Sequence, residues 1–155
     1  MNKKIFVIST IIIVIDQLSK ILSSIYFKYS SISVIPNFFY LTYAENTGAA
    51  WSILKNKQLV LIVLTFVLLL LLHIFMRDIK QNKKSIAAFS LIYGGIWGNL
   101  LDRILHGYVI DFLDFQIFNY DYPVFNIADS AIVIGMFFLI IEVIKGEKKS
   151  DSIRK

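Results

Sequence analysis

Four long apolar blocks, at about residues 5–27, 59–76, 86–105 and 124–144, constrain this chain more than anything else in it. Each is long enough to cross a hydrocarbon layer of roughly 30 Å at about 1.5 Å per residue. A soluble domain is nearer half apolar and about a quarter charged. This 155-residue chain is 57% hydrophobic and only 17% charged. The expectation is a membrane α-helical protein with four transmembrane helices in one domain, 1–155. The first block follows Lys3 and Lys4 as a signal peptide's core would, but no small-residue cleavage site follows, and Asp16, Gln17 and Lys20 interrupt it. It is expected to be a retained helix.

Lys and Arg set the orientation. Lys3 and Lys4 lie at the N-terminus, Arg77, Lys80, Lys83 and Lys84 between the second and third blocks, and Lys145, Lys148, Lys149, Arg154 and Lys155 in the tail, 145–155. The opposite side has Lys28, Lys55 and Lys57, and no Lys or Arg between His106 and Pro123. The basic side is expected to be cytoplasmic, with both termini inside. The net charge of +5 is then a topology signal. Its clusters fit membrane lipids as partners, and no nucleic acid is expected. The absence of cysteine excludes disulfides, thiolate metal sites and a cysteine nucleophile. His73 and His106 are too few and too far apart to suggest zinc, so no metal or cofactor is expected.

Two segments fall outside. Residues 28–58 are rich in β-branched and aromatic side chains around Pro36, and predict a few short strands. Open strand edges are not tolerated against lipid tails, so these strands belong on the outer surface. Residues 106–123 carry Asp111, Asp114 and Asp121. Asp114 reads as solvated surface, and Asp121 beside Pro123 as turn chemistry.

The polar residues inside the blocks converge at one depth. Asp16 and Lys20 lie in the outer half of the first span. Asn99, Asp102 and Arg103 lie at the outer end of the third, with Asp111 just beyond, and Asn126 and Asp129 fall at the start of the fourth. The pairs 16/20, 99/102, 99/103 and 126/129 share helix faces by their spacing. Asp102 beside Arg103 suggests an ion pair, Asn126 a cap, and Asn46-Thr47-Gly48 a turn. Gly94 with Gly98, and Ala131 with Gly135, predict close approach of the third and fourth helices. A charge at a helix centre costs about 2.5–3.5 kcal/mol, so such a cluster needs partners or a wet cavity. Two carboxylates in a poorly solvated site share a proton and can divide base and acid roles, which is aspartic-protease logic. The residues alone leave open which of Asp16, Asp102, Asp111 and Asp129 form the pair. A proton-coupled transporter and a non-catalytic scaffold are the rival readings. The one-sided depth and lack of internal repeat argue against the first, and acids from three helices at one depth against the second.

The blocks "DQLSK" at 16–20, "NTGAA" at 46–50, "GNLLDR" at 98–103, "VIDFLDF" at 109–115 and "FNIAD" at 125–129 resemble, in that order, those of lipoprotein signal peptidase, or signal peptidase II. The resemblance covers roughly residues 5–145. It implies an intramembrane aspartic endopeptidase of the bacterial cell membrane that removes signal peptides from prolipoproteins, cutting before the diacylglyceryl-modified cysteine. It implies Asp111 and Asp129 as the catalytic acids, with Asp16, Asn46, Asn99, Asp102, Arg103 and Asn126 supporting them; Lys20 and Gly48 join that set. It also implies a small extracytoplasmic β-cradle at 28–58, a short outer helix around 106–121, lipidated prolipoproteins as substrates, and a monomer. Glu45 departs from the pattern, standing where many members have a basic residue.

Overall fold

The computed structural model describes residues 2–49, 53–118 and 120–153. Ala50 of "NTGAA" and Arg154 and Lys155 of the basic tail lie outside the described residues. The element order is α1 (Lys3–Tyr26), β1 (Ile32–Ile35), β2 (Phe39–Asn46), α2 (Gln58–Asp78), α3 (Lys83–His106), β3 (Val109–Ile117), β4 (Tyr120–Asp121) and α4 (Ile127–Ile153).

Burial is inverted relative to a soluble bundle. On α1 the buried positions are Ile5, Ser9, Asp16, Lys20 and Ser23, while Phe6, Ile11, Val14, Ile15 and Leu18 are exposed. The buried set follows a 3–4 residue rhythm, so one polar stripe faces inward and the apolar surface faces out. That arrangement suits lipid as the solvent. Among the described residues three helices, Lys3–Tyr26, Gln58–Asp78 and the stretch Ile127–Lys145, are long and apolar enough to cross a membrane. α3 has 24 residues and length to match, about 36 Å, but it is more polar. It is the central helix, buried at thirteen positions and packed against α1, α2 and α4, so its side chains answer to the other helices rather than to lipid.

Small residues set those approaches: Gly135 serves the expected contact of α3 with α4, whereas Gly94 and Gly98 chiefly meet α1. A Cβ on Gly94 would lie 2.7 Å from Ile12 Cβ, and one on Gly98 2.6 Å from Asp16 Oδ2, so this pair packs α3 against α1. The close contact of α3 with α4 uses Gly95, which lies under the Ala128 carbonyl, and Gly135, where a Cβ would meet Ile92 and Ala88. α3 begins with a capping box between Asn82 and Ser85 and ends at Gly107 in the left-handed region (φ 79°), a conformation glycine adopts without strain.

The strands form one antiparallel sheet in the order β1-β2-β3-β4. Among the described residues the implied short outer helix around 106–121 is not formed: nine residues of that segment, "VIDFLDFQI", are β3. Their β-branched and aromatic content favours a strand, and β2 is available to pair with Ala44 opposite Asp111 and Asn46 opposite Val109. The fourth helix starts at Ile127 rather than at 124. Phe125 exchanges backbone hydrogen bonds with Leu113 (2.8 and 3.1 Å), which holds it extended. At the other end α4 continues through the tail to Ile153 instead of stopping near 144.

Candidate active site

The foundation of the site is a buried lysine. Lys20 of α1 is 1% exposed. Its ammonium reaches Asp16 Oδ2 (2.9 Å), Asp102 Oδ2 (3.0 Å) and Asn99 Oδ1 (2.9 Å). An ammonium has three donors, so all are satisfied. Both carboxylates also accept elsewhere: Asp16 Oδ1 from the Ala128 backbone N–H (2.8 Å) and Asp102 Oδ2 from that of Ile110 (3.0 Å). Gln17 Nε2 donates to Asp102 Oδ1 (2.8 Å) and to the Gly98 carbonyl (3.2 Å). α1, α3, β3 and the start of α4 are thus fastened to one charge cluster. Removing Lys20 would leave two buried carboxylates without their cation, at about 3–5 kcal/mol.

Two further acids sit above it. Asp111, on β3 and 3% exposed, accepts from Asn126 Nδ2 at Oδ1 (2.7 Å) and from Asn46 Nδ2 at Oδ2 (2.9 Å). Asp129, in the first turn of α4, accepts from Asn99 Nδ2 at Oδ1 (2.8 Å) and from the Asn126 backbone N–H at Oδ2 (3.2 Å). Asn126 Oδ1 in return accepts from the Asp129 N–H (2.9 Å). This reciprocal cap starts the helix and aims the carboxylate. Asn126 Nδ2 also reaches Asn99 Oδ1 (3.1 Å) and the Ile110 carbonyl (3.3 Å). Three asparagines therefore hold two carboxylates by donation, none of them adding charge.

Both acids line one cavity of about 300 Å³, together with Asn46, Asn99 and Arg103. Its apolar wall includes Val109, Pro123, Phe125, Ile132 and Val133, and Val133 is 68% exposed on the outer surface of α4. Burial, and then the Asp129 carboxylate, push the Asp111 carboxyl up to about 7; the hydrogen bonds from Asn46 and Asn126 and the Lys20 charge oppose this. Arg103 Nη2 donates to the Gly48 carbonyl (3.1 Å) and Nη1 to that of Asn99 (3.4 Å). The Gly48 N–H donates to Asn46 Oδ1 (3.0 Å), so Arg103 clasps the turn that carries Asn46. Among the described residues no three His, Asp or Glu side chains form a group that could hold a metal ion.

The family model described as "Signal peptidase (SPase) II" matches residues 8–145. Lipoprotein signal peptidases of Staphylococcus aureus, from strains N315 and JH9 among others, are 38% identical over 163 residues, covering 99% of this chain and 100% of theirs. The chain belongs to the signal peptidase II family. A bacterial membrane enzyme solved by the in meso method at 2.3 Å resolution has the same fold, with a TM-score of 0.83 and 37% identity over 94% of this chain and 90% of its own. A second, at 1.9 Å, gives 0.79 and 38% over 91% and 92%. A signal peptidase II is a protease, and the apolar helices make this one a multi-pass protein of the bacterial cell membrane.

In this signal peptidase II chain all ten residues singled out from the sequence meet at one place. Asp16, Lys20, Asn99 and Asp102 form the charge cluster, Asn46, Gly48, Arg103 and Asn126 the supports, and Asp111 and Asp129 the cavity acids. Asp102 does not pair with Arg103; its cation is Lys20. Adjacent helical residues point about 100° apart and do not face each other. Asp114 is half-buried on β3 and Asp121 is exposed. Sequence reasoning missed Gln17. Its spacing of three from Lys20 places the two on neighbouring parts of one face, and that was the available signal.

Proposed function

We propose that this chain is an intramembrane aspartic endopeptidase, one peptidase domain with four spans, that removes signal peptides from prolipoproteins by cutting before the diacylglyceryl-modified cysteine. Asp111 and Asp129 are its catalytic acids. The observation that carries the assignment is that these two carboxylates line a single small cavity, each held by two uncharged donors. Asp16 and Asp102 have their oxygens committed to Lys20 and to backbone amides.

The dyad titrates as a unit and carries one proton at neutral pH. Its ionised carboxylate takes a proton from a water, and the oxygen of that water bonds to the scissile carbonyl carbon. The protonated carboxyl gives its proton to the carbonyl oxygen, leaving a neutral tetrahedral diol. Collapse returns a hydroxyl proton to one carboxylate while the other protonates the departing amine, and the C–N bond breaks. Asn46, Asn99 and Asn126 keep both acids aimed throughout, since their donors favour charge without neutralising it.

The lysine and arginine distribution supports both termini on the cytoplasmic side. The charge cluster and cavity then lie toward the outer face, and the sheet forms an extracytoplasmic cradle. The exposed Val133 beside the cavity suits entry from the bilayer by a substrate bearing acyl chains. The enzyme is expected to act as a monomer. The test is cleavage of a lipidated prolipoprotein peptide by the purified protein in detergent, with Asp111→Asn and Asp129→Asn alongside and a chelator present. Cleavage before the lipid-bearing cysteine, lost in both variants and indifferent to chelator, is expected. Undiminished cleavage by either folded variant refutes the dyad.

A further inference from the structure

Among the described residues, Asn99 is the side chain that touches both the Lys20 ammonium and a cavity acid. Its Oδ1 accepts from Lys20 Nζ (2.9 Å) and Asn126 Nδ2 (3.1 Å), and its Nδ2 donates to Asp129 Oδ1 (2.8 Å). A side-chain amide can present either end to a neighbour, and only its surroundings decide which. An ammonium is a donor only, so Lys20 forces the oxygen of Asn99 toward α1 and the NH₂ toward Asp129. Asn126 adds a second donor whose own orientation is fixed by the Asp129 backbone N–H on its Oδ1. That contact is longer and uncharged, and charged donors make the stronger hydrogen bond.

We propose that Lys20 is a positioning residue for the reaction: through Asn99 it fixes which face of an amide Asp129 meets, and so keeps a hydrogen-bond donor on that carboxylate throughout turnover. The inference rests on the dyad reading above. It gives the membrane-buried cation a chemical task that ion pairing with Asp16 and Asp102 does not require. Without the ammonium, Asn99 can turn its oxygen toward Asp129. That face stabilises the protonated acid and opposes the charged form the water-activating step needs. The charged groups around Asn99 come from every element packed on it: Asp16 and Lys20 from α1, Asp102 and Arg103 from α3, Asp111 from β3 and Asp129 from α4.

The full-length protein in detergent, assayed on the lipidated peptide, tests this. Lys20→Met alone strands two carboxylates, so the informative variant is Lys20→Met/Asp16→Asn. It keeps the net charge of the cluster and an acceptor for the Ala128 N–H. The expected result is a folded protein with kcat lowered about tenfold or more and KM within about twofold. In an Asn99→Ala background, removing Lys20 changes kcat by less than about twofold, because the lysine acts through that amide. Wild-type kcat in the charge-conserving variant, or an equal loss with and without Asn99, overturns the proposal. If the Lys20 variants fail to fold, Asn99→Asp decides: it retains an acceptor for Lys20 and offers Asp129 no donor. A loss of about tenfold or more supports the role, and wild-type kcat ends it. Active Lys20 variants beside dead Asp111→Asn and Asp129→Asn proteins would sink only the positioning role; active dyad variants would sink the catalytic assignment itself.

Discussion

Replacing Asp111 by asparagine should make the protein more resistant to alkali even as it destroys activity. In the folded protein the Asp111 carboxyl stands at about 7, against an ordinary value of 3.8. Between those values the folded state holds a proton that the unfolded chain has released, so raising the pH through this window weakens the fold. The full shift corresponds to roughly 4 kcal/mol, at about 1.36 kcal/mol per unit. With Asp111 only 3% exposed, little of that is lost to solvent screening. An uncharged amide at this position does not titrate, so the variant lacks this pH dependence. It would carry a pH-independent penalty instead, because one of the two donors from Asn46 and Asn126 would face an NH₂ group; a mismatched buried polar group costs about 1–3 kcal/mol. The prediction therefore concerns the change with pH. The stability of Asp111→Asn relative to wild type should rise by up to about 4 kcal/mol from pH 4 to pH 8. Thermal melting of both proteins in one detergent, scanned across that range, measures it. A constant difference would refute the claim that burial and Asp129 hold this carboxyl protonated.

Two further substitutions probe the supports. Gly98→Ala would place a Cβ 2.6 Å from Asp16 Oδ2; pushing that carboxylate off Lys20 should destabilise the protein by about 1–3 kcal/mol, seen as a lower melting temperature. Arg103→Lys removes the planar fork that reaches the Gly48 and Asn99 carbonyls and so loosens the turn bearing Asn46. A fall of about tenfold in kcat/KM on the lipidated peptide is expected, with near-normal melting.

The parts of this fold that are legible in sequence are those governed by local pattern and by the bilayer. The extents of α1 and α2 follow from apolar length, and the convergence of eight polar residues (Asp16, Lys20, Asn99, Asp102, Arg103, Asp111, Asn126 and Asp129) follows from helix direction and spacing. Contacts set by distant partners are not legible. Nothing near Asp102 announces that its cation is Lys20, which lies on a different helix. The GxxxG at Gly94 and Gly98 declares a close approach without naming α1 as the partner. β3 is a strand because β2 lies ready to pair with it, a condition that residues 109–117 do not encode by themselves. The start of α4 falls later than the apolar block suggests, because Val124 and Phe125 look like helix interior. The better signal is Asn126 after Pro123, since the asparagine caps the helix and leaves the preceding residues to the sheet.

The hydrogen bond from the Ala128 amide to Asp16 joins the first helix to the last across 112 residues of chain. A ribosome makes α1 first, and Asp16, Lys20, Asp102 and Asn99 can assemble as soon as α3 has emerged. The acceptor for α4 can thus be built before that helix exists, and Asp129 arrives on a helix made after α3. A partly synthesised chain has the foundation of the site but only one of its two cavity acids. On the proposed dyad, hydrolytic competence waits for the fourth helix.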